Sequence, residues 1–271
     1  MIKLVACDMD GTLLDSQKRL PADFPQVMTA LKERGVCFAV ASGRQYAALR
    51  RDFEAYLEDM MFICENGALV MQRDERLLID PVDPRELYRI VTAAKDLRGV
   101  YPVVRRAEMA LIEKTASPEF VRNTCMYYPS VQVVDDLTEY CNLGDVCKVA
   151  FYDEYDAQTH ELPELQSKLE PELSIILSGE HWVDVMKPGV TKGGAMRGVQ
   201  KKLGITPEEC MAFGDYLNDC ELLQSVGESY AMENAHPRLK EMARHIAPSN
   251  DEDGVMRVIR REFGLTEGGA Q

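Results

Sequence analysis

The chain has 271 residues, of which 46% are hydrophobic and 28% charged, and its formal net charge at pH 7 is −14. This composition is ordinary for a soluble globular protein and leaves room for one large domain or two of medium size. The acidic balance argues against nucleic acids and anionic membranes as partners, because binding to phosphate groups needs a surplus of Lys and Arg. We find no apolar run of membrane-spanning length and no signal peptide before the first predicted strand.

The eight cysteines contain no Cys-x-x-Cys pair, and several lie in apolar strand-like runs. This pattern favours reduced core thiols in a cytoplasmic protein over disulfides or a zinc site. The acidic surface gives no hint of an interface, so a monomer and a homodimer both stay open.

Strands and helices are predicted to alternate from the N-terminus to about residue 81. Apolar strands span about 2–7, 36–41 and 60–64. Of the two helices between them, the first runs from about residue 24 to a cap at Gly35, and the second follows Arg44 and ends at about Tyr56. Asn66-Gly67 then suits a type I′ turn leading into a hairpin. A β-α-β-α-β order predicts a doubly wound parallel sheet.

The pattern changes between about residues 82 and 186. Two strand-like runs, 100–105 and 109–113, follow each other without a helix, and Ser117-Pro118 begins a helix. Further strands are predicted at 131–134, 146–152, 173–177 and 182–186, which favours an antiparallel α+β module. Alternation resumes with a helix that ends at Gly204 and a strand at 210–213. We therefore predict an α/β domain of residues 1–81 and 187–271, interrupted by an inserted α+β domain of residues 82–186.

Polar residues that could take part in catalysis or ligand binding follow apolar strands or begin helices in the predicted α/β domain. They are Asp8 and Asp10, Ser42 with Gly43 and Arg44, Lys192, and Asp215 with Asp219. In an open α/β sheet, ligands bind outside the carboxyl ends of the strands. Two carboxylates at ~4 Å near a protein surface repel by on the order of 4 kcal/mol. A divalent cation with oxygen ligands, most often Mg²⁺ where phosphate is bound, would offset this charge, and Ser42 with the Gly43 N–H at a helix start would seat an anion.

Four segments together resemble the motifs of the haloacid dehalogenase (HAD) superfamily, and more narrowly its Cof-type phosphatases. The segments are Asp8-Met9-Asp10-Gly11-Thr12, Ser42-Gly43-Arg44, Lys192-Gly193 and Gly214-Asp215-Tyr216-Leu217-Asn218-Asp219. The resemblance covers nearly the whole chain, and Asn234-Ala235 and the run from Asn250 to Val255 also look like family features. It implies a Rossmann-like core with a large α/β cap inserted between the second and third motifs.

The resemblance also implies a reaction and a role for each motif residue. Asp8 would attack phosphorus and form an aspartyl-phosphate, and Asp10 would act as general acid and then as general base. Mg²⁺ would be held by Asp8, by the Asp10 backbone carbonyl, by Asp215, and by Asp219 directly or through water. The phosphoryl oxygens would be held by Ser42, Gly43, Lys192 and Asn218. The implied enzyme is a Mg²⁺-dependent phosphomonoester hydrolase of small metabolites, with sugar phosphates as the first candidates.

Other interpretations stay open for two of the site residues, Asp219 and Arg44, and structural roles are expected for three further polar or aromatic residues. Asp219 could support other residues or cap a helix, and Arg44 could be a plain surface residue. Asn66 is expected to form a turn, and His181 and Trp182 to be packed or exposed strand residues. A phosphomutase resembling phosphomannomutase, or a binding protein that has lost catalysis, are the alternative functions. Intact motifs argue against the second, and a mutase would need extra basic residues in the inserted domain.

Overall fold

The computed structural model describes residues 1–114, 116–128, 130–169 and 171–265. Contacts between residues divide the chain into two compact units. The first unit comprises Met1–Gly43, Phe53–Leu78 and Thr191–Gln271, and the second comprises Arg44–Asp52 and Ile79–Val190. The predicted insertion, residues 82–186, falls inside the second unit, and its role as a cap stays a prediction. Within the described residues, no helix is both long and apolar enough to cross a membrane.

The strands follow the hydrophobic runs of the sequence closely. They are β1 (Leu4–Asp8), β2 (Cys37–Ala41), β3 (Met60–Cys64), β4 (Leu69–Gln72), β5 (Glu75–Ile79), β6 (Val100–Arg106), β7 (Ala110–Glu113), β8 (Val131–Val134), β9 (Val146–Asp153), β10 (Ser174–Gly179), β11 (Trp182–Met186), β12 (Cys210–Gly214), β13 (Glu228–Met232) and β14 (His245–Ala247).

The helices are short, with between 5 and 12 residues each. They are α1 (Phe24–Glu33), α2 (Tyr46–Asp52), α3 (Pro84–Ala93), α4 (Pro118–Tyr127), α5 (Leu162–Leu169), α6 (Lys192–Leu203), α7 (Cys220–Gln224), α8 (Pro237–Met242) and α9 (Gly254–Phe263). The predicted helix up to Tyr56 instead ends at Asp52, and a separate 3₁₀ turn follows at Glu54–Tyr56. The short helices α7 and α8 were not predicted.

The first sheet has eight strands in the order β14-β13-β12-β1-β2-β3-β4-β5. The pairs from β14 to β3 are parallel, and β4 runs antiparallel to β3. This arrangement confirms the predicted doubly wound α/β class. The chain order reverses between β12 and β1, and such a switch point is where open α/β sheets bind ligands.

The hairpin after β3 is confirmed, but its turn differs from the predicted one. Cys64 pairs with Leu69, so the loop has four residues instead of the two of a type I′ turn. Its backbone has positive φ at Glu65, Asn66 and Gly67. A two-residue loop with positive φ at both positions instead joins β4 to β5, at Arg73 and Asp74. Neither residue is glycine, so the local sequence lacks the glycine that usually marks a type I′ turn.

The second sheet has the order β10-β11-β9-β6-β7-β8. Neighbouring strands in this sheet are antiparallel, except for β7 and β8, which are parallel. The predicted antiparallel α+β module therefore matches four of the five strand pairs in this sheet, and the β7–β8 pair differs. The cause is α4, which Ser117 caps by accepting a hydrogen bond from the Phe120 N–H at 3.2 Å, and which carries the chain back across the sheet.

Candidate active site

Three of the predicted site segments lie at the carboxyl ends of neighbouring strands. Asp8 is the last residue of β1, Ser42 follows β2, and Asp215 follows β12. Because β1 pairs with both β2 and β12 in parallel, these ends meet at one edge of the sheet. Asp8 and Ser42 are both buried there. The sheet topology thus brings together segments that are far apart in the chain.

Lys192 enters this edge from the first turn of α6. Thr191 caps the helix, since its hydroxyl accepts a hydrogen bond from the Gly194 N–H at 3.0 Å. The Lys192 side chain is only 1% exposed. Its Nζ donates to Asp8 Oδ1 and to Asp219 Oδ1, the latter at 2.7 Å. A buried ammonium is tolerable only with such partners, so Lys192 ties the end of β1 to the segment after β12.

Asp219 is completely buried, and both of its carboxylate oxygens have donors. Oδ1 accepts from Lys192, while Oδ2 accepts from the backbone N–H groups of Asp215 at 3.1 Å and Tyr216 at 3.2 Å. Gly214 makes this tight turn possible, because a Cβ at that position would lie 2.5 Å from the Asp219 Cβ. The geometry therefore suits a residue that orients Lys192 and the turn as much as one that ligates a cation.

Asp215 is held by the segment that follows β1. Thr12 Oγ1 donates to Asp215 Oδ1 at 2.9 Å. Gly11 has a φ of +86°, and a Cβ there would lie 2.5 Å from Asp215 Oδ2. Only glycine fits this position, because an L residue would be strained and would clash with the carboxylate. The first motif includes Thr12, but the sequence does not indicate this role, because a contact across 203 positions leaves no local pattern.

Two asparagines donate hydrogen bonds to backbone carbonyls of the segment after β1. Asn234 Nδ2 donates to the Gly11 carbonyl at 2.8 Å, and Asn250 Nδ2 donates to the Leu14 carbonyl at 2.9 Å. The Asn250 N–H donates to Asn234 Oδ1 at 3.1 Å, which links the two. Asn234 and Asn250 belong to the two stretches that also resemble family features, and in the fold they hold the backbone after β1.

Asp10, Gly43, Arg44 and Asn218 are less buried than Asp8, Lys192 and Asp219. Asp10 has a side chain 37% exposed, and its Oδ1 forms an ion pair with Lys18 Nζ at 2.8 Å, a partner that sequence reasoning missed. Gly43 and Asn218 are exposed. Arg44 belongs to the second unit, where Nη1 lies 3.2 Å from Asp52 Oδ2.

The site carries more negative charge than its one buried ammonium can balance. Burial, and then the neighbouring carboxylates Asp219 and Asp215, hold the pKa of Asp8 above its usual range, although Lys192 acts in the opposite direction. Burial likewise raises the pKa of Asp215. The pKa of Lys192 is raised, because Asp8 and Asp219 together outweigh the effect of burial. Such a set of groups favours the binding of an additional cation.

The same carboxylates fit a hard divalent cation. One oxygen each of Asp8, Asp215 and Asp219 lies within 4.8 Å of the others, and no second group of three or more His, Cys, Asp or Glu is so placed in the described part of the chain. Carboxylate oxygens are the ligands that Mg²⁺ prefers. The side chain of Asp10 is not part of this group of three carboxylates.

Comparisons with known proteins agree with this geometry. The sequence profile of the haloacid dehalogenase-like hydrolases matches residues 5–259. The chain belongs to this family. It is 31% identical over 267 residues to the 5-amino-6-(5-phospho-D-ribitylamino)uracil phosphatase of Escherichia coli, covering 95% of each chain. It is 29% identical over 248 residues to the HMP-PP phosphatase of Citrobacter koseri, covering 91% of this chain and 90% of that protein.

The fold has solved counterparts. A protein from Eubacterium rectale superposes with a TM-score of 0.87 at 27% identity, over 96% of this chain and 99% of that one. The family membership and the phosphatase relatives confirm the resemblance drawn from the four motifs and make this chain a HAD-type phosphatase.

Proposed function

We propose that the chain is a Mg²⁺-dependent phosphomonoester hydrolase that works through an aspartyl-phosphate on Asp8. The observation that carries this proposal is the placement of Asp8. Its carboxylate is buried at the end of β1, contacts the Lys192 ammonium and shares the edge of the sheet with Asp215. One oxygen of this carboxylate accepts a hydrogen bond from the Lys192 ammonium. This contact fixes the orientation of the other oxygen, as a nucleophile requires.

The chemistry divides into two balanced steps. A carboxylate oxygen of Asp8 forms a bond to phosphorus while the bond from phosphorus to the leaving oxygen breaks, and Asp10 gives that oxygen a proton. Water then attacks the phosphorus of the acyl phosphate, Asp10 takes its proton, and the Asp8 carboxylate and inorganic phosphate are released. The partial exposure of Asp10 supports this role, since the proton must be exchanged with leaving group and water.

The phosphoryl group needs donors and positive charge around its oxygens. We assign these roles to Ser42, Gly43, Lys192 and Asn218. Mg²⁺ would be held by Asp8 and Asp215, with the Asp10 carbonyl and Asp219 as the further candidates, and it supplies charge neutralisation and orientation of the phosphoryl oxygens when bound. Asp219 is the weakest of these ligands, because N–H donors already occupy both of its oxygens.

The substrate we propose is a small phosphorylated metabolite of the sugar-phosphate type. The relative from Escherichia coli supports this class, since its name places the phosphate on a ribityl chain. A cytoplasmic location agrees with the eight cysteines, all of them in the described residues and none in a disulfide.

The test is phosphate release from a panel of phosphorylated sugars, nucleotides, pyridoxal phosphate and a chromogenic ester. Wild type and Asp8→Asn are compared with Mg²⁺ and with EDTA. We expect release that requires Mg²⁺ and falls by at least about 10³-fold in Asp8→Asn, because the nucleophile is lost. Release that persists in Asp8→Asn would refute the aspartyl-phosphate. No release by wild type, with isomerised sugar phosphate as product instead, would favour the mutase.

A further inference from the structure

A hydrogen bond joins the start of α6 to the segment that follows Asp219. Thr191 Oγ1 lies 2.7 Å from Glu221 Oε2. Thr191 directly precedes Lys192, and Glu221 lies two residues after Asp219 in α7. The bond therefore connects the two segments whose side chains, Lys192 and Asp219, form the buried ion pair of the site.

The Thr191 hydroxyl both accepts and donates a hydrogen bond. It accepts from the Gly194 N–H at 3.0 Å as the cap of α6, so its single proton is directed to Glu221. A hydrogen bond to a carboxylate is stronger than one between neutral groups. The helix cap and the contact with the carboxylate thus hold the first turn of α6 through a single hydroxyl.

Backbone packing leaves this junction little freedom. A Cβ at Gly193 would lie 2.3 Å from the carbonyl carbon and oxygen of Glu221, so the first turn of α6 rests on the backbone of α7. A Cβ at Gly67 would lie 2.2 Å from the Thr191 carbonyl oxygen, so a second backbone segment also packs closely against the start of α6. The start of α6 therefore packs closely against two backbone segments, and the Thr191–Glu221 bond adds a side-chain contact to one of them, α7.

We infer that Glu221 is a positioning residue for the phosphatase reaction, acting through Thr191 on the Lys192 ammonium. The inference rests on the proposed role of Lys192 beside Asp8. The Lys192 Nζ must reach Asp8 and Asp219 at once, and a shift of the helix start moves it away from one of them. Displacements of about 1 Å at a reacting centre can cost on the order of 100-fold in rate.

The experiment measures kcat and KM for the best substrate of the panel in Glu221→Ala, Thr191→Val and the double variant. We expect each single variant to lower kcat about tenfold and to change KM less than threefold. The double variant should lose no more than the worse single one, because both changes remove the same bond. Thr191→Ser, which keeps the hydroxyl, should stay within about threefold of wild type. Glu221→Gln, which keeps an acceptor oxygen without the charge, should lie between wild type and Glu221→Ala.

Two controls separate positioning from general effects. Arg197 Nη2 lies 3.1 Å from Glu221 Oε2 in an exposed pair, and Arg197→Ala should leave kcat unchanged. Ser117→Ala removes a helix cap in the second unit and should lower the melting temperature without lowering kcat. A comparable loss of kcat in either control would overturn the inference.

Three further results would also overturn it: wild-type kcat in Glu221→Ala, additive losses in the double variant, or no rescue by Thr191→Ser. Wild type, Asp8→Asn and Lys192→Met are measured alongside. If Lys192→Met is inactive and the Glu221 variants are fully active, only the positioning inference fails. If Lys192→Met or Asp8→Asn turns over like wild type, the proposed function itself fails.

Discussion

Glu161 is a buried acid that the proposed reaction does not use. It ends a π-helical turn, Ala157–Glu161, and is completely buried. Within the described residues, neither of its carboxylate oxygens has a hydrogen-bond partner. Burial, and then the charges of Asp153 and Asp184, raise the pKa of Glu161 from 4.5 to about 9. The carboxyl is therefore neutral in the folded protein at pH 7.

This pKa predicts how stability changes with pH. Between about pH 4.5 and 9 the folded protein keeps a proton that the unfolded chain releases, so the stabilisation present below pH 4.5 is lost progressively as the pH rises. The slope from this group is at most about 1.4 kcal/mol per pH unit. Glu161→Gln should flatten the fall in the free energy of unfolding between pH 5 and 8.5, measured by urea titration.

Glu164→Gln is the matched control, since Glu164 lies on the neighbouring helix α5 with a side chain 51% exposed. It should leave the pH dependence of the wild type unchanged. An identical slope in Glu161→Gln and wild type would mean that Glu161 is charged in the fold.

At the scale of elements, the site depends on how closely α6 approaches α7. Gly193 lies in the first turn of α6, and an added Cβ would also come within 2.6 Å of the Glu221 Cβ. Backbone cannot yield as a flexible side chain does, so Gly193→Ala must displace the helix start. We expect a loss of about 1–3 kcal/mol in the free energy of unfolding and at least a tenfold loss of kcat.

Gly144→Ala is the comparison for this variant. Nothing lies within 4 Å of a Cβ at Gly144, so we expect wild-type kcat and a change of stability within about 0.5 kcal/mol. Full activity in Gly193→Ala would show that the approach of α6 to α7 is not needed to place Lys192.

For the whole molecule, the net charge of −14 and the carboxylates of the site link stability to cations. A ligand that binds only the folded protein stabilises it by about 2.7 kcal/mol at 100 times its Kd. Mg²⁺ should therefore raise the melting temperature beyond the effect of NaCl at the same ionic strength. Asp215→Asn should abolish that extra rise, because Asp215 contributes one of the three carboxylate oxygens that lie within 4.8 Å of one another.

Asp219→Asn distinguishes a ligand from a supporting residue. Its oxygens already accept from Lys192 and two backbone N–H groups, so this variant should be less stable yet still show the Mg²⁺-dependent rise. Loss of the rise in Asp219→Asn and its retention in Asp215→Asn would reverse the two assignments. Thermal unfolding of the three proteins in Mg²⁺ and in matched NaCl decides between them.

The fold class could be predicted from the sequence, and so could Asp8, Lys192, Asp215 and Asp219, which the structure brings together. Continuous apolar runs such as β3, and local end signals such as the Ser117 cap and Gly204, predicted element bounds well because burial and capping act over a few neighbouring positions. The four motifs, read in order, were enough to identify the family that the profile then confirmed.

The contacts that these residues make became evident only in the folded structure. The donors to Asp219, the Thr12–Asp215 bond and the Thr191–Glu221 bond link positions that are distant or on separate elements. The parallel pairing of β7 with β8 likewise followed from where α4 carries the chain. Spacing along a chain encodes which face of an element a side chain occupies, but hydrogen-bond partners across elements depend on how the folded backbones pack against each other.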